Sequence, residues 1–184
     1  MSAQPQAIMT VEEFLSWAEG RPGRYELIDG LVVAMSPQRV RHAETKLAIH
    51  DALRAGLQAA ELPCRLLPDG MTVRIDRVTA FEPDALIYCG ERLDGDAVEV
   101  RDPIVVVEVL SPGTRNTDTV RKLEGYFQVA SILHYLIVHP QRRVVIHHRR
   151  GAAGLIETRI VSDGALDLSP PGLSLRVDDL FPAS

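Results

Sequence analysis

The stretch from Pro103 to Tyr126, P-I-V-V-V-E-V-L-S-P-G-T-R-N-T-D-T-V-R-K-L-E-G-Y, decides the predicted fold of this chain. Ile104 to Leu110 is a nearly continuous run of β-branched and aliphatic residues. It predicts a strand covered on both faces, because a half-solvated strand would alternate apolar and polar residues. Glu108 lies inside this run. An unpaired buried carboxylate costs several kcal/mol, so we expect Glu108 to be neutralised, paired with a cation or bound to a metal.

A helix is expected directly after this strand, which Ser111-Pro112-Gly113 should end. Thr117 or Asp118 is a suitable N-cap for the helix. Lys122 and Tyr126 are four residues apart, so they share one helix face. A carboxylate buried at the end of a central strand, followed by a helix that presents an ammonium group, suggests a functional site.

The composition is typical of one soluble globular domain spanning residues 1–184, with 46% hydrophobic and 24% charged residues. No apolar run approaches the roughly 18–20 residues of a membrane span, and the N-terminus has no features of a secretory signal. We therefore expect a cytoplasmic protein without membrane association. The net charge of −5 argues against a non-specific nucleic-acid coat. It allows an enzyme that meets DNA through one local basic face.

Several local patterns precede the central stretch. Thr10 to Glu13 has the form of a helix capping box, and Asp29-Gly30 has the form of a two-residue hairpin turn. A second hairpin is expected around Asp69-Gly70, between strands at residues 64–67 and 71–75. A helix is expected from Val40 to Ala60. The residues assigned to its apolar stripe are Val40, Ala43, Leu47, Leu53 and Leu57, and those assigned to its polar face are Arg41, His42, Lys46, His50 and Arg54.

The two cysteines, Cys64 and Cys89, match no zinc-binding spacing. In a cytoplasmic protein we expect them to be separate, reduced thiols.

Asp84 follows a proline at the start of a short predicted strand, Ala85 to Tyr88. If that strand pairs with the central strand, Asp84 and Glu108 reach the same point. Two carboxylates and a backbone carbonyl such as that of Val109 suit Mg²⁺ or Mn²⁺. Such an ion would lower the pKa of a bound water and neutralise charge on a phosphate, with Lys122 stabilising charge or orienting the water. The alternatives are a Pro-Asp turn for Asp84 and a core arginine partner for Glu108.

Three segments resemble the Uma2 family, a domain of unknown function in the PD-(D/E)xK nuclease superfamily: E-P-D-A-L-I-Y, V-V-V-E-V-L-S-P and D-T-V-R-K-L-E-G-Y. Four others are similar to it as well: M-T-V-E-E-F-L, R-Y-E-L-I-D-G, H-Y-L-I-V-H-P and P-G-L-S-L-R-V-D-D-L-F. The resemblance thus covers nearly the whole chain. It implies an α/β, restriction endonuclease-like fold, in which helices flank a mixed central sheet with an N-terminal hairpin and extra C-terminal strands.

The resemblance also implies roles for individual residues. Asp84 and Glu108 would be the metal ligands. The superfamily lysine belongs two residues after the glutamate, where this chain has Leu110, and in Uma2-like sequences it lies on the following helix, as Lys122 does here. Glu26 matches the early glutamate of the family and would hold a second metal or a water near it. The other interpretation of Glu26 is a cross-strand partner for an arginine.

Four residues are candidates for supporting roles, and each has a structural alternative. His42 is either a site residue or a surface histidine, and Ser111 either donates to a carboxylate or ends the strand. Asp118 either orients Lys122 or caps the helix. Tyr126 is expected to pack in the core or to hydrogen-bond near the site. A basic set either grips phosphates or forms a solvated face: Arg115, Arg121 and the arginines between 142 and 150.

The function implied by the resemblance is a metal-dependent endonuclease that uses Mg²⁺ or Mn²⁺ to hydrolyse phosphodiester bonds in DNA. A homodimer would supply two sites for two strands. One alternative is a non-catalytic nucleic-acid-binding or protein-interaction module that retains the fold. Another is hydrolysis of a small phosphorylated substrate at the same metal site.

Overall fold

The computed structural model describes residues 8–111 and 116–182, with side chains omitted for 116–118. The helices of this described part are α1 (Val11–Ala18), α2 (Val40–Ala59) and α3 (Asn116–Tyr126), with short 3-10 turns at Ala152–Gly154 and Val177–Leu180. Its strands are β1 (Tyr25–Ile28), β2 (Leu31–Ala34), β3 (Cys64–Pro68), β4 (Val73–Arg74), β5 (Ala80–Phe81), β6 (Ala85–Cys89), β7 (Pro103–Val109), β8 (His134–His139), β9 (Val144–Arg150), β10 (Ile156–Val161), β11 (Ala165–Leu168) and β12 (Leu173–Arg176).

The main sheet has six strands in the order β10-β9-β8-β7-β6-β3. β7 and β8 are parallel, and the other neighbouring pairs are antiparallel. A smaller sheet has the order β2-β1-β5-β4, and β11 pairs with β12 near the C-terminus. The predicted mixed sheet with an N-terminal hairpin and extra C-terminal strands is confirmed.

β7 is covered on both faces, as its continuous apolar sequence predicts. Val105 and Val107 are fully buried and lie in one hydrophobic cluster with residues of α2 and of the β11–β12 hairpin. Val106 is also fully buried but lies on the opposite face, in a second cluster with Tyr126 and Tyr135. Complete burial of a valine side chain contributes about 1.5–3 kcal/mol. β7 is thus the strand on which both layers of the core are built.

Two local predictions before β7 are confirmed. Thr10 and Glu13 form a reciprocal capping box at the start of α1. Asp29 and Gly30 connect β1 to β2 with φ values of 51° and 77°, which is the left-handed backbone that a two-residue hairpin turn requires.

The predicted hairpin around Asp69-Gly70 is wrong. The chain turns there, but β3 pairs with β6 in the main sheet, whereas β4 pairs with β5 in the smaller sheet. The Asp-Gly pair predicts only the conformation of the turn itself. Here each of the two flanking strands pairs with a strand farther along the chain.

The cysteine prediction is wrong for the same reason. β3 and β6 pair antiparallel with Cys64 directly opposite Cys89, and the two residues form a disulfide. Their spacing of 25 residues gives no hint of this pairing, which depends on a strand contact formed by the fold.

The apolar stripe predicted for α2 is correct only in the C-terminal half of the helix. Leu53 and Leu57 are buried, but Val40 and Leu47 are 74% and 62% exposed. In the N-terminal half the buried face carries Lys46 instead. Lys46 therefore faces inward at this end of α2, because it meets the buried carboxylate of Asp84.

α3 begins at Asn116, so Thr117 and Asp118 lie within its first turn rather than before it. In the described residues no helix has the length and apolar character that a membrane span requires.

A buried histidine pair lies between β8, β9 and the loop before β12. His134 Nε2 is 2.7 Å from the carbonyl oxygen of Pro170, so it donates there, and its Nδ1 accepts from His147 Nε2 at 2.9 Å. Burial lowers the pKa of His147 to about 4, with smaller contributions from the neighbouring His134 and Arg159. Burial also lowers the pKa of His134. Both rings are therefore neutral in the folded protein near neutral pH.

We predict that acid destabilises the fold partly through His147. Below its unfolded pKa of about 6.5 the unfolded chain takes up a proton that the folded chain refuses, so stability falls until the pH reaches the folded pKa. From about pH 7 to about pH 4 the contribution is at most about 3 kcal/mol. Urea unfolding of the wild type and of His147→Gln across this range measures it. The glutamine donates a similar hydrogen bond without titrating, so equal pH slopes would contradict the prediction.

Candidate active site

The candidate site lies where the start of β6 meets the end of β7. The backbone N–H of Asp84 donates to the carbonyl of Val107 at 2.9 Å, and the next residue, Ala85, pairs with Val107. This register places Asp84 beside Glu108, as expected if the two strands pair. Asp84 is 4% exposed. The strands thus bring two carboxylates to one point of the sheet.

Lys122 of α3 joins Glu108 to a third carboxylate. Its Nζ lies 2.9 Å from Glu108 Oε1 and 2.9 Å from Glu26 Oε1. Tyr126, one turn later on α3, donates its hydroxyl to Glu108 Oε1 at 2.6 Å. Glu26 also accepts from the backbone N–H of Glu82 at 2.9 Å. The helix lysine and tyrosine thus reach the same carboxylate oxygen.

The charges around Glu108 and Lys122 act on the pKa values of both groups. Burial raises the pKa of Glu108 to about 7; the ammonium of Lys122 opposes this rise, while the Asp84 and Glu26 carboxylates add to it. Burial works against the charge of Lys122, but the Glu108 and Glu26 carboxylates raise its pKa well above the ordinary range. Lys122 is therefore the fixed positive charge around which the carboxylates are arranged.

Asp84 has its own cationic partner, which the sequence prediction missed. Lys46 of α2, 7% exposed, places its Nζ 3.1 Å from Asp84 Oδ1 and also forms an ion pair with Asp69. The other oxygen of Asp84 accepts from the backbone N–H of Val109 at 2.7 Å. Each of the two central carboxylates is thus held by one lysine from one helix.

The sequence does contain a pattern that includes Lys46. The prediction assigns Lys46 to the polar face of α2, whereas the structure buries it. His42, Lys46 and His50 follow at intervals of four on α2 and share one side of the helix. His50 Nε2 lies 3.1 Å from the backbone carbonyl of Asp84, and His42 Nε2 lies 2.8 Å from that of Val109. A repeated basic side chain at this spacing indicates a helix face that packs on buried acceptors.

His42 lies beside the central carboxylates. It lies 12% exposed, and its Nε2, 3.6 Å from Asp84 Oδ2, donates to the Val109 carbonyl. Its Nδ1 is buried without a hydrogen-bond partner in the described residues, and the same holds for Nη2 of Arg24. Both side chains line a cavity of about 700 Å³ together with Glu26, Asp84, Glu108 and Lys122.

The donor set of this cavity fits a small hard cation. Asp84 and Glu108 supply two carboxylates, and Val109 lines the same cavity. Among the described residues, no cluster of three or more His, Cys, Asp or Glu side chains has the arrangement of a metal site. Mg²⁺ needs no such cluster, since it binds through one or two carboxylates and keeps several waters or phosphate oxygens.

Three other predicted residues surround these central groups. Ser111 is exposed and lines the mouth of the cavity, and Tyr126 is fully buried beneath Glu108. Arg121 lines the cavity but forms an exposed ion pair with Asp29, 3.1 Å away. The side chain of Asp118 and the whole of Arg115 lie outside the described residues.

A second cavity of about 590 Å³ adjoins the first and shares His42 and Ser111 with it. Its basic lining residues are Arg39, Arg41, His42, His139 and Arg142. No described acidic residue lines it. Within the described part of the chain, its three arginines form no ion pair with a carboxylate. In a chain of net charge −5 this is a marked local excess of positive charge.

The chain is similar over most of its length to known proteins. It is 23% identical over 175 residues to the uncharacterized protein slr1290 of Synechocystis sp., a match that covers 94% of this chain and 91% of that protein. Its fold matches the crystal structure of a "putative nuclease belonging to DUF820" from Anabaena variabilis, with a TM-score of 0.75 and 16% identity, covering 94% of this chain and 97% of that one. The model of the family Uma2, described as "Putative restriction endonuclease", matches residues 11–179. The chain therefore belongs to the Uma2 family.

Proposed function

We propose that this chain is a metal-dependent endonuclease that hydrolyses phosphodiester bonds in DNA. The observation that carries the proposal is the convergence of Asp84, Glu108 and Lys122 in one cavity that opens beside an acid-free basic cavity. The family description and the nuclease-like fold support it.

The side chains of the first cavity would divide the work as follows. Asp84 and Glu108, with the Val109 carbonyl, would hold Mg²⁺ or Mn²⁺. The bound ion would supply an activated water and neutralise charge on the phosphate. Lys122 would present its ammonium to the negative charge that develops during cleavage. Glu26 would keep Lys122 charged and in place, since its carboxylate contacts the same Nζ from a different sheet.

Lys46 and His42 would position the ligands. Lys46 holds one oxygen of Asp84, and His42 donates to the Val109 carbonyl, so both fix groups assigned to the ion. A carbonyl oxygen has two lone pairs, so the hydrogen bond from His42 leaves one for a cation. Tyr126 would orient Glu108 through its hydroxyl.

The second cavity would bind the phosphates next to the one that is cut. Arginine side chains suit this task because the guanidinium group remains charged and binds phosphate oxygens in pairs. Arg39, Arg41 and Arg142 are exposed and line the second cavity, beside the first cavity that contains Asp84 and Glu108. This local surface would allow an acidic protein to bind a polyanion.

A module that binds nucleic acid without cutting it is the alternative. The observation that favours it is that both central carboxylates already have an ammonium partner, Lys46 for Asp84 and Lys122 for Glu108. In that case the lysines would replace the metal rather than assist it. Metal binding separates the two proposals.

We predict that the wild type binds Mn²⁺ and Mg²⁺ and nicks plasmid DNA, and that Asp84→Asn and Glu108→Gln lose both properties. These substitutions keep the side-chain shape but remove the charge that a hard cation requires. Calorimetric titration and plasmid nicking on the same samples measure both. Lys122→Met should retain metal binding and lose at least about 100-fold in cleavage rate, the size of an electrostatic contribution in many enzymes.

Glu82→Gln is the matched control for these variants. Glu82 is a buried acid two residues from Asp84, but it pairs with Arg24 and is not an assigned ligand. Its loss should leave metal binding within a few-fold of the wild type. Absence of metal binding in the folded wild type would refute the metal-dependent mechanism, and Glu108 would then be a structural ion-pair residue.

We predict that the second cavity supplies much of the affinity for DNA. Replacing Arg39, Arg41 and Arg142 together by alanine should weaken binding and reduce the slope of log K against log salt by roughly 1 for each phosphate that the protein no longer neutralises. Fluorescence anisotropy with a short duplex at several salt concentrations, with Ca²⁺ in place of Mg²⁺ to prevent cutting, measures the slope.

A second triple variant, Arg54→Ala with Arg65→Ala and Arg176→Ala, serves as the control. These arginines are exposed as well but lie outside both cavities. The variant has the same net charge as the first one. Equal loss of affinity in the two triple variants would show that only total charge matters, and would contradict the assignment of the cavity.

A further inference from the structure

β10 forms one edge of the six-stranded sheet, with β9 as its partner on one side and, in the described residues, no strand on the other. Its residues are exposed from Ile156 to Ile160, and Ile160 itself is 71% exposed. Exposed edge strands of this length are usually protected by proline, by a bulge or by inward-pointing charge, because their free backbone groups pair with other chains. The sequence of β10 contains no proline, and β10 is in regular register with β9 over all six residues. Its two charged residues, Glu157 and Arg159, have opposite signs.

The sequence around β10 is complementary to itself when it is read in the opposite direction. Residues 155–161 are L-I-E-T-R-I-V. An antiparallel pairing of two copies centred on Thr158 places each Ile156 opposite Ile160 of the other copy. The same register places each Glu157 opposite Arg159 of the other copy. The aliphatic ends, Leu155 and Val161, then also face each other.

We propose that β10 is the interface of a homodimer in which two copies pair antiparallel about a two-fold axis at Thr158. The pairing would join the two main sheets into one continuous sheet. Side chains alternate across a strand, so the two kinds of contact separate onto the two faces. Isoleucines 156 and 160 of both copies form one apolar strip, and the other face carries two cross-strand ion pairs between Glu157 and Arg159.

The contacts within one subunit leave these groups available. Glu157 has a single ion-pair partner in the described chain, Arg149, whose Nε is 3.9 Å away, and both side chains are about half exposed. Ile156 is 41% exposed even though it pairs with β9. Directly opposed residues of opposite charge, and opposed β-branched residues, are the pairs that stabilise antiparallel strands. Pairing with a second copy would give Glu157 a cationic partner and would cover Ile156 at the same time.

The interface does not use the candidate active site. β10 is three strands from β7 in the sheet order, roughly 14 Å at the usual spacing between strands. The inference therefore does not rest on the proposed nuclease activity. Variants of β10 should keep the metal affinity of the wild type, so a failure of one proposal is distinguishable from a failure of the other.

A charge-swap experiment tests the register. Sedimentation equilibrium from micromolar to near-millimolar protein should show a monomer–dimer equilibrium in the wild type. Glu157→Arg and Arg159→Glu should each raise the dimer dissociation constant at least about tenfold, since each places like charges opposite one another twice in the dimer. The double variant, Glu157→Arg with Arg159→Glu, should restore the dissociation constant to within a few-fold of the wild type.

The two single variants change the net charge in opposite directions, so a general charge effect would not weaken the dimer in both. Ile160→Lys should also weaken it, because it places an ammonium in the apolar strip. Val98→Lys is the control, since Val98 is 55% exposed but lies outside the strands. Circular dichroism checks that each variant is folded. A monomeric wild type, a dimer unaffected by the single variants, or a double variant that remains dissociated would each overturn the proposal.

Discussion

The bridge that Lys122 makes between Glu26 and Glu108 is the contact on which the arrangement of this protein depends. Glu26 belongs to the smaller sheet, Glu108 to the main sheet and Lys122 to α3. One ammonium therefore ties together three elements, alongside the Tyr126–Glu108 hydrogen bond and the Arg121–Asp29 ion pair. Removing one member of such a buried group typically costs about 3–5 kcal/mol, because the remaining charges lose their compensation. The Lys122 bridge therefore contributes both to the geometry of the site and to the mutual placement of the two sheets.

A second bridge of the same kind lies on the other side of the strand end. Lys46 connects Asp84 with Asp69, and Asp69 in turn contacts Arg24 at 2.7 Å. The two lysines come from different helices, on opposite faces of the main sheet. Each holds one carboxylate, so the acids remain close together in a buried place despite their mutual repulsion. The negative charge at the strand end is thus compensated by two separate ammonium groups.

Features that depend on local sequence, or on a motif of the family, could be predicted from the sequence. The apolar run around Glu108 identifies the central strand, and the resemblance locates Lys122 on the following helix. What could not be predicted depends on pairing between distant segments. Cys64 and Cys89 meet only because β3 leaves its local turn to pair with β6. Lys46 is expected in solvent because a charged residue on a helix usually faces water, whereas here its partners are buried acids supplied by the sheet.

The position of the lysine on a helix, rather than on the strand of the carboxylates, makes its placement depend on how that helix is seated. A Cβ atom at Gly125 would come within 2.6 Å of the ring of Phe81, so α3 rests on β5 through a glycine. Glu108 lies on a strand of the main sheet, while the ammonium of Lys122 is carried by a helix whose seating on β5 depends on this close contact and on the packing of Tyr126 against Phe81. A larger side chain at position 125 would push α3 away from β5 and so move the ammonium of Lys122 relative to Glu108, even though position 125 lies outside the cavity.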